Sequence, residues 1–195
     1  MILSRRSLIG SVFFSLGIFF ETEEPYFSIC SCLPNVVHGF KISAFAIIFF
    51  AARDIKAGEQ LFYSYRSIAQ SASERKAEIV PYGITQCTCA ACVHATPETD
   101  ALRKTFYARV HEYRAQSTTW NQLPRFPVKI LDDLLKYQRA VVKEGLDMDF
   151  QYWIVFLPAL ATAYQLAGKP EERNWVIQRM VRWNASREKA LKMTQ

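Results

Sequence analysis

All five cysteines of this 195-residue chain fall at Cys30, Cys32, Cys87, Cys89 and Cys92. Three of them share the six residues Cys87-Thr88-Cys89-Ala90-Ala91-Cys92. Thiols this close pair as disulfides only under strain, and an odd number fits a disulfide framework poorly. They can instead converge on one ion. Tetrahedral Zn²⁺ takes four ligands, each sulfur at about 2.3 Å, and a Cys-x-Cys-x-x-Cys knuckle supplies three. The fourth place is open to Cys30, Cys32 or His94. Binding deprotonates the thiols, so the ion neutralises charge that the fold could not otherwise hold there. His38 and His111 read as ordinary polar residues.

The elements that must carry these thiols divide into two kinds. β-Branched and aromatic residues dominate 36–65 and predict strands over 36–40, 42–52 and 60–63, with turns around Asp54, Lys56 and Gly58. The consecutive Ile47, Ile48, Phe49 and Phe50 predict a strand covered on both faces. Residues 71–80 are charged and helix-permissive, and Pro81-Tyr82-Gly83 breaks that pattern ahead of the knuckle.

From Asp100 onward the periodicity is helical. Leu102, Phe106, Val110 and Tyr113 share one face; Leu131, Leu134, Leu135, Gln138, Val141 and Val142 make a second stripe that Gly145 caps. A third helix spans 150–167, which Pro158 should kink or divide. A fourth carries Trp175, Val176, Met180 and Trp183 as core. The helices resemble tetratricopeptide-type hairpins in Ala161, Ala163, Tyr164 and Gly168, without a second copy at the ~34-residue period. The fold class is therefore α+β, a β-rich part with the knuckle followed by an all-α region.

Composition bounds the rest. Half the residues are hydrophobic and 22% are charged, which is enough apolar surface for a core and excludes wholesale disorder. The net charge of +6 is modest, and basic residues alternate with acidic ones, as in Glu171, Glu172 and Arg173. A solvated helical face explains that better than a nucleic-acid surface. Residues 8–20 are mostly apolar and follow Arg5 and Arg6, as in a secretory signal. The run is too short to span a bilayer and lacks a small-x-small cleavage site, so burial is the preferred reading and a membrane location is not favoured.

A family resemblance emerges when these segments are taken in order. Ser31-Cys32-Leu33-Pro34-Asn35 resembles the second half of the Asn-His-Ser-Cys-x-Pro-Asn motif of SET-domain protein lysine methyltransferases. Residues 53–65, from Arg53-Asp54-Ile55 through Gly58-Glu59-Gln60-Leu61 to Tyr65, resemble that family's Arg-Asp-Ile-x-x-Gly-Glu-Glu-Leu segment and its closing tyrosine. Cys87, Cys89 and Cys92 are similar to its post-SET zinc knuckle. The SET-MYND branch, here without a MYND finger, is the most similar. The resemblance implies a partial SET β-fold with a post-SET knuckle over 27–93, a helical domain over 94–195 and an apolar leader over 1–26. It implies Cys32 as the fourth zinc ligand beside Cys87, Cys89 and Cys92, and Tyr65 as the active-site tyrosine. Ser31, Tyr82 and Ile84 fall near the binding site for S-adenosylmethionine. It further implies a protein or peptide substrate, histone tails by family default, and a nuclear or cytoplasmic location.

The departures bear on activity. Ile29 and Cys30 stand where the family has the Asn-His pair that contacts the methyl donor, and no Gly-x-Gly precedes them. Ile29 has no side-chain donor or acceptor, and each unmade bond costs roughly 1–3 kcal/mol, about ten- to hundredfold in affinity. The expectation is the carboxy-terminal half of a SET domain with weakened donor binding. The alternative is a noncatalytic zinc-binding interaction module.

Overall fold

The computed structural model describes residues 30–42 and 45–192; the apolar run at 8–20 and Ile29 lie outside them. Two strands, β1 (Val36–Lys41) and β2 (Ala46–Ala51), pair antiparallel with Val36 opposite Ala51 and Lys41 opposite Ala46. The Phe50 ring packs over Gly39, 3.4 Å from where a Cβ would stand.

The strand expected over 60–63 does not form. Among the described residues a single parallel bridge joins Tyr63 to Cys30, and on the other edge Asn35 occupies the backbone groups that a neighbouring strand would use. Its amide donates to the Gln60 carbonyl at 2.8 Å, and its Oδ1 accepts from the Phe62 N–H at 2.7 Å. Asn35 is 1% exposed, so these bonds face no competition from water.

The helices start where their caps dictate. Helix α1 (Ala72–Ile79) opens with a reciprocal box in which the Ser71 hydroxyl accepts from the Glu74 N–H and the Glu74 carboxylate accepts from the Ser71 N–H. A tight turn at Val80–Tyr82 and left-handed Gly83 end it. After the short α2 (Ala90–Val93), α3 (Pro97–Ser117) begins three residues ahead of the expected Asp100. Thr96 and Thr99 cap each other there, and Pro97 sits where no amide hydrogen is needed.

Helix α4 (Val128–Lys143) buries Leu131, Leu134 and Val141, and Gly145 follows at φ 66°. The expected division at Pro158 does not occur: helical backbone runs on through 150–166, and Pro158 lies in the first turn of α5 (Leu157–Leu166), directly after a wide π-helical turn (Tyr152–Phe156). Ala159, Ala161 and Ala163 are buried on α5, and α6 (Pro170–Lys192) packs closely against it. Phe106, Val110, Leu134, Val141, Leu146, Phe156, Leu160 and Val176 form the fully buried centre, each contributing about 1.5–3 kcal/mol by leaving water.

Two residues of the expected apolar stripes, Val142 and Trp175, lie outside it. Trp175 is 53% exposed, since it and the fully buried Val176 are adjacent on a helix and cannot both face inward. The Arg179 guanidinium stacks over the Trp175 ring at 4.7 Å instead, while Trp183 stacks on Trp153 at 5.3 Å. No helix among the described residues is long and apolar enough to cross a membrane.

Candidate metal centre and tyrosine cluster

Cys32, Cys87, Cys89 and Cys92 arrive from three local structures. Cys32 follows the Cys30–Tyr63 bridge and is buried; Cys87 lies in the irregular run after Gly83. Cys89 is the residue before α2, its carbonyl accepting from the Cys92 and Val93 N–H groups at 2.9 and 3.0 Å. That turn brings Cys92 back toward Cys89. The four sulfurs all lie within 4.8 Å of one another, and those of Cys32 and Cys92 are 3.5 Å apart.

Sulfur–metal bonds of about 2.3 Å in a tetrahedron require sulfurs ~3.8 Å apart, a spacing that these distances bracket. Four thiols with no carboxylate are a soft donor set suited to zinc. Among the described residues, neither Cys30 nor His94 joins the group.

The protons of this cluster are shared. Hydrogen bonds with Cys89 and Cys92 raise the Cys32 thiol, and burial adds to the shift. The same bonds lower Cys89, the accepting sulfur, while burial pushes Cys87 up to about 12. Packed thiolates repel one another, so full ionisation here requires a cation. Cys30 lies outside the four: burial raises its thiol, and a backbone hydrogen bond from Tyr65 partly offsets that.

Two arginines frame the centre, and neither is legible in the residue order because each sits in a charged, helix-permissive stretch. Arg75 on α1 is 1% exposed. Its guanidinium donates to the Gln70 carbonyl, to the Ala91 carbonyl at 3.1 Å and to the Cys92 sulfur at 3.6 Å. Arg103 on α3 is fully buried and donates to the Ile68 carbonyl at 2.7 Å, the Glu144 carbonyl at 2.6 Å and the Glu144 carboxylate at 3.1 Å. It thereby joins the segment before α1 to the end of α4. Leu33, next to Cys32, reaches the same place: a Cβ on Gly145 would meet its Cδ2 at 2.5 Å.

Tyr65 stands in an aromatic group. Its ring centroid is 4.8 Å from that of Tyr63 and 5.1 Å from that of Tyr82, and Tyr63 in turn packs on Phe49 at 5.2 Å and His38 at 5.6 Å. Burial, then the neighbouring Tyr63, raises the Tyr65 hydroxyl above its ordinary range, so it stays protonated at neutral pH and can donate. The Arg66 guanidinium lies 5.2 Å over the Tyr82 ring, which is about half exposed. Ser31 is buried, its hydroxyl accepting from the Leu33 N–H at 3.1 Å, and Ile84 is half-buried. The Ser31 hydroxyl keeps its own O–H to donate, and Tyr82 packs against Tyr65.

Residues 19–66 match the family model of the SET domain. The matched stretch holds Cys32, Asn35, both strands and Tyr65, and it supports a SET-domain protein. The knuckle cysteines and helices α1 to α6 lie outside it. No curated protein matches the chain.

Proposed function

We propose that the chain is a SET-domain protein of the kind that methylates protein lysines with S-adenosylmethionine, its centre held by zinc on Cys32, Cys87, Cys89 and Cys92. The observation carrying this reading is the position of Tyr65, one residue inside the end of the family match and within an aromatic group. The helical tail and knuckle spacing favour a SET-MYND-like arrangement, with a protein or peptide substrate in the nucleus or cytoplasm.

The chemistry explains the aromatic setting. Transfer of a methyl group from a sulfonium donor to an amine needs the nucleophile oriented and partly desolvated. The protonated Tyr65 hydroxyl orients the lysine amine, and the rings of Tyr63 and Tyr82 exclude water beside it. No residue forms a covalent intermediate. Zinc stays structural, since four thiolates leave no open coordination position.

The donor side is weaker. Ile29 replaces the family's asparagine, and Cys30 replaces its histidine. These features favour a second reading, a noncatalytic module in which the SET remnant is scaffold for a helical interaction domain. Incubation with labelled donor and a histone or lysine-peptide mixture separates the two. Methyl incorporation that Tyr65→Phe abolishes supports catalysis. A blank result at high protein concentration, with zinc retained and no donor binding by calorimetry, removes the enzymatic reading and leaves the scaffold.

A further inference from the structure

Arg75 is buried without a carboxylate. Among the described residues its guanidinium pairs with no Asp or Glu, in contrast to Arg103, which has Glu144. Its Nε has no hydrogen-bond partner either. A buried cation left so is costly unless an anion compensates it. The group it does face is the Cys92 sulfur at 3.6 Å, in a cluster whose other three sulfurs lie within 4.8 Å.

We propose that Arg75 is the positioning residue of the tetrathiolate centre, donating N–H to the Cys92 sulfur and neutralising part of the centre's negative charge. The inference rests on the zinc reading above. Four thiolates around one divalent cation carry a net charge of about −2; the guanidinium halves it without occupying a coordination position. Its remaining donors reach the Gln70 and Ala91 carbonyls, so the same side chain fixes α2, which carries Cys92, against the start of α1. Metal retention and the docking of α1 are thereby coupled. Arginine suits the place because its fork reaches a sulfur and a carbonyl together, whereas lysine offers a single charged centre.

The test uses the whole chain as wild type, Arg75→Lys and Arg75→Met. Zinc affinity is measured by chelator competition, and the sulfur-to-metal charge-transfer band is recorded after Co²⁺ replacement. Partners that support metal ligands typically govern ten- to hundredfold in affinity. The expected result is a loss of about that size in Arg75→Met, with the Co²⁺ band moved to lower energy as the thiolate donates more strongly. Arg75→Lys should fall between the two. A merely structural role would lower thermal stability and leave the band unmoved at saturating cobalt, which would overturn the proposal. If Arg75→Met does not fold, a lysine variant with wild-type affinity and band does the same. Wild-type chain that takes up neither metal defeats the zinc reading itself, a result distinct from a metal-loaded wild type whose variants match it.

Discussion

Asn35 and Phe62 are joined twice: the Asn35 N–H donates to the Phe62 carbonyl at 3.0 Å, and the Phe62 N–H donates to Asn35 Oδ1 at 2.7 Å. A side chain in the segment after Cys32 thus takes the hydrogen bonds of a strand on this edge and sets where the chain leading to Tyr65 runs. Asn35→Ala leaves the Phe62 N–H and the Gln60 carbonyl without these partners. The expected loss is about 2–4 kcal/mol, roughly the cost of one or two buried groups left unpaired. Urea unfolding followed by circular dichroism checks it, and a variant within experimental error of wild type would contradict the role given to Asn35.

Glu59 ties the same segment to Arg53. The Arg53 guanidinium holds the Glu59 carboxyl down at about 2, aided by the Lys56 N–H and the Asn35 amide. A carboxylate with a depressed pKa stabilises the fold above its unfolded value near ~4.3, and that contribution is lost as pH falls toward the folded value. The stability difference between wild type and Glu59→Gln should therefore be present at neutral pH and close between about pH 4.5 and pH 2. Urea midpoints at several pH values measure it. A difference unchanged across that range would show that Glu59 acts through packing instead.

Gly145 and Leu33 fix the approach of the Cys32 loop to the helical region. Gly145→Ala meets two obstacles, a left-handed φ of 66° and the Leu33 Cδ2 at 2.5 Å. A loss of about 1–3 kcal/mol is expected. Leu33→Ala in the same chain should restore part of it, because the close contact is relieved while the backbone strain remains. Thermal melts of both variants report this, and a double variant no better than the sum of the singles would remove Leu33 from the account.

Much of this arrangement was legible in the residue order. The Cys87, Cys89 and Cys92 spacing pointed to one ion, though spacing alone left the fourth ligand open among Cys30, Cys32 and His94; the fold gathers Cys32. Helix faces read by periodicity put Phe106, Val110, Leu134 and Val141 inside. Failures have physical causes. Residues 60–63 have strand-forming side chains, but propensity cannot reveal that Asn35 takes their hydrogen bonds. Arg75 and Arg103 look like solvated charges in sequence because burial of an arginine depends on partners distant along the chain, Cys92 and Glu144. Trp175 belongs to an apolar stripe with Val176, Met180 and Trp183, but its neighbour Val176 owns the inward direction.

The decisive measurement is the zinc content of purified wild-type chain beside Cys32→Ser, by elemental analysis after exhaustive dialysis. One tightly held zinc per wild-type chain is expected, and none retained by the serine variant. Folded wild type without a bound transition metal, or a serine variant that keeps its zinc, would contradict it.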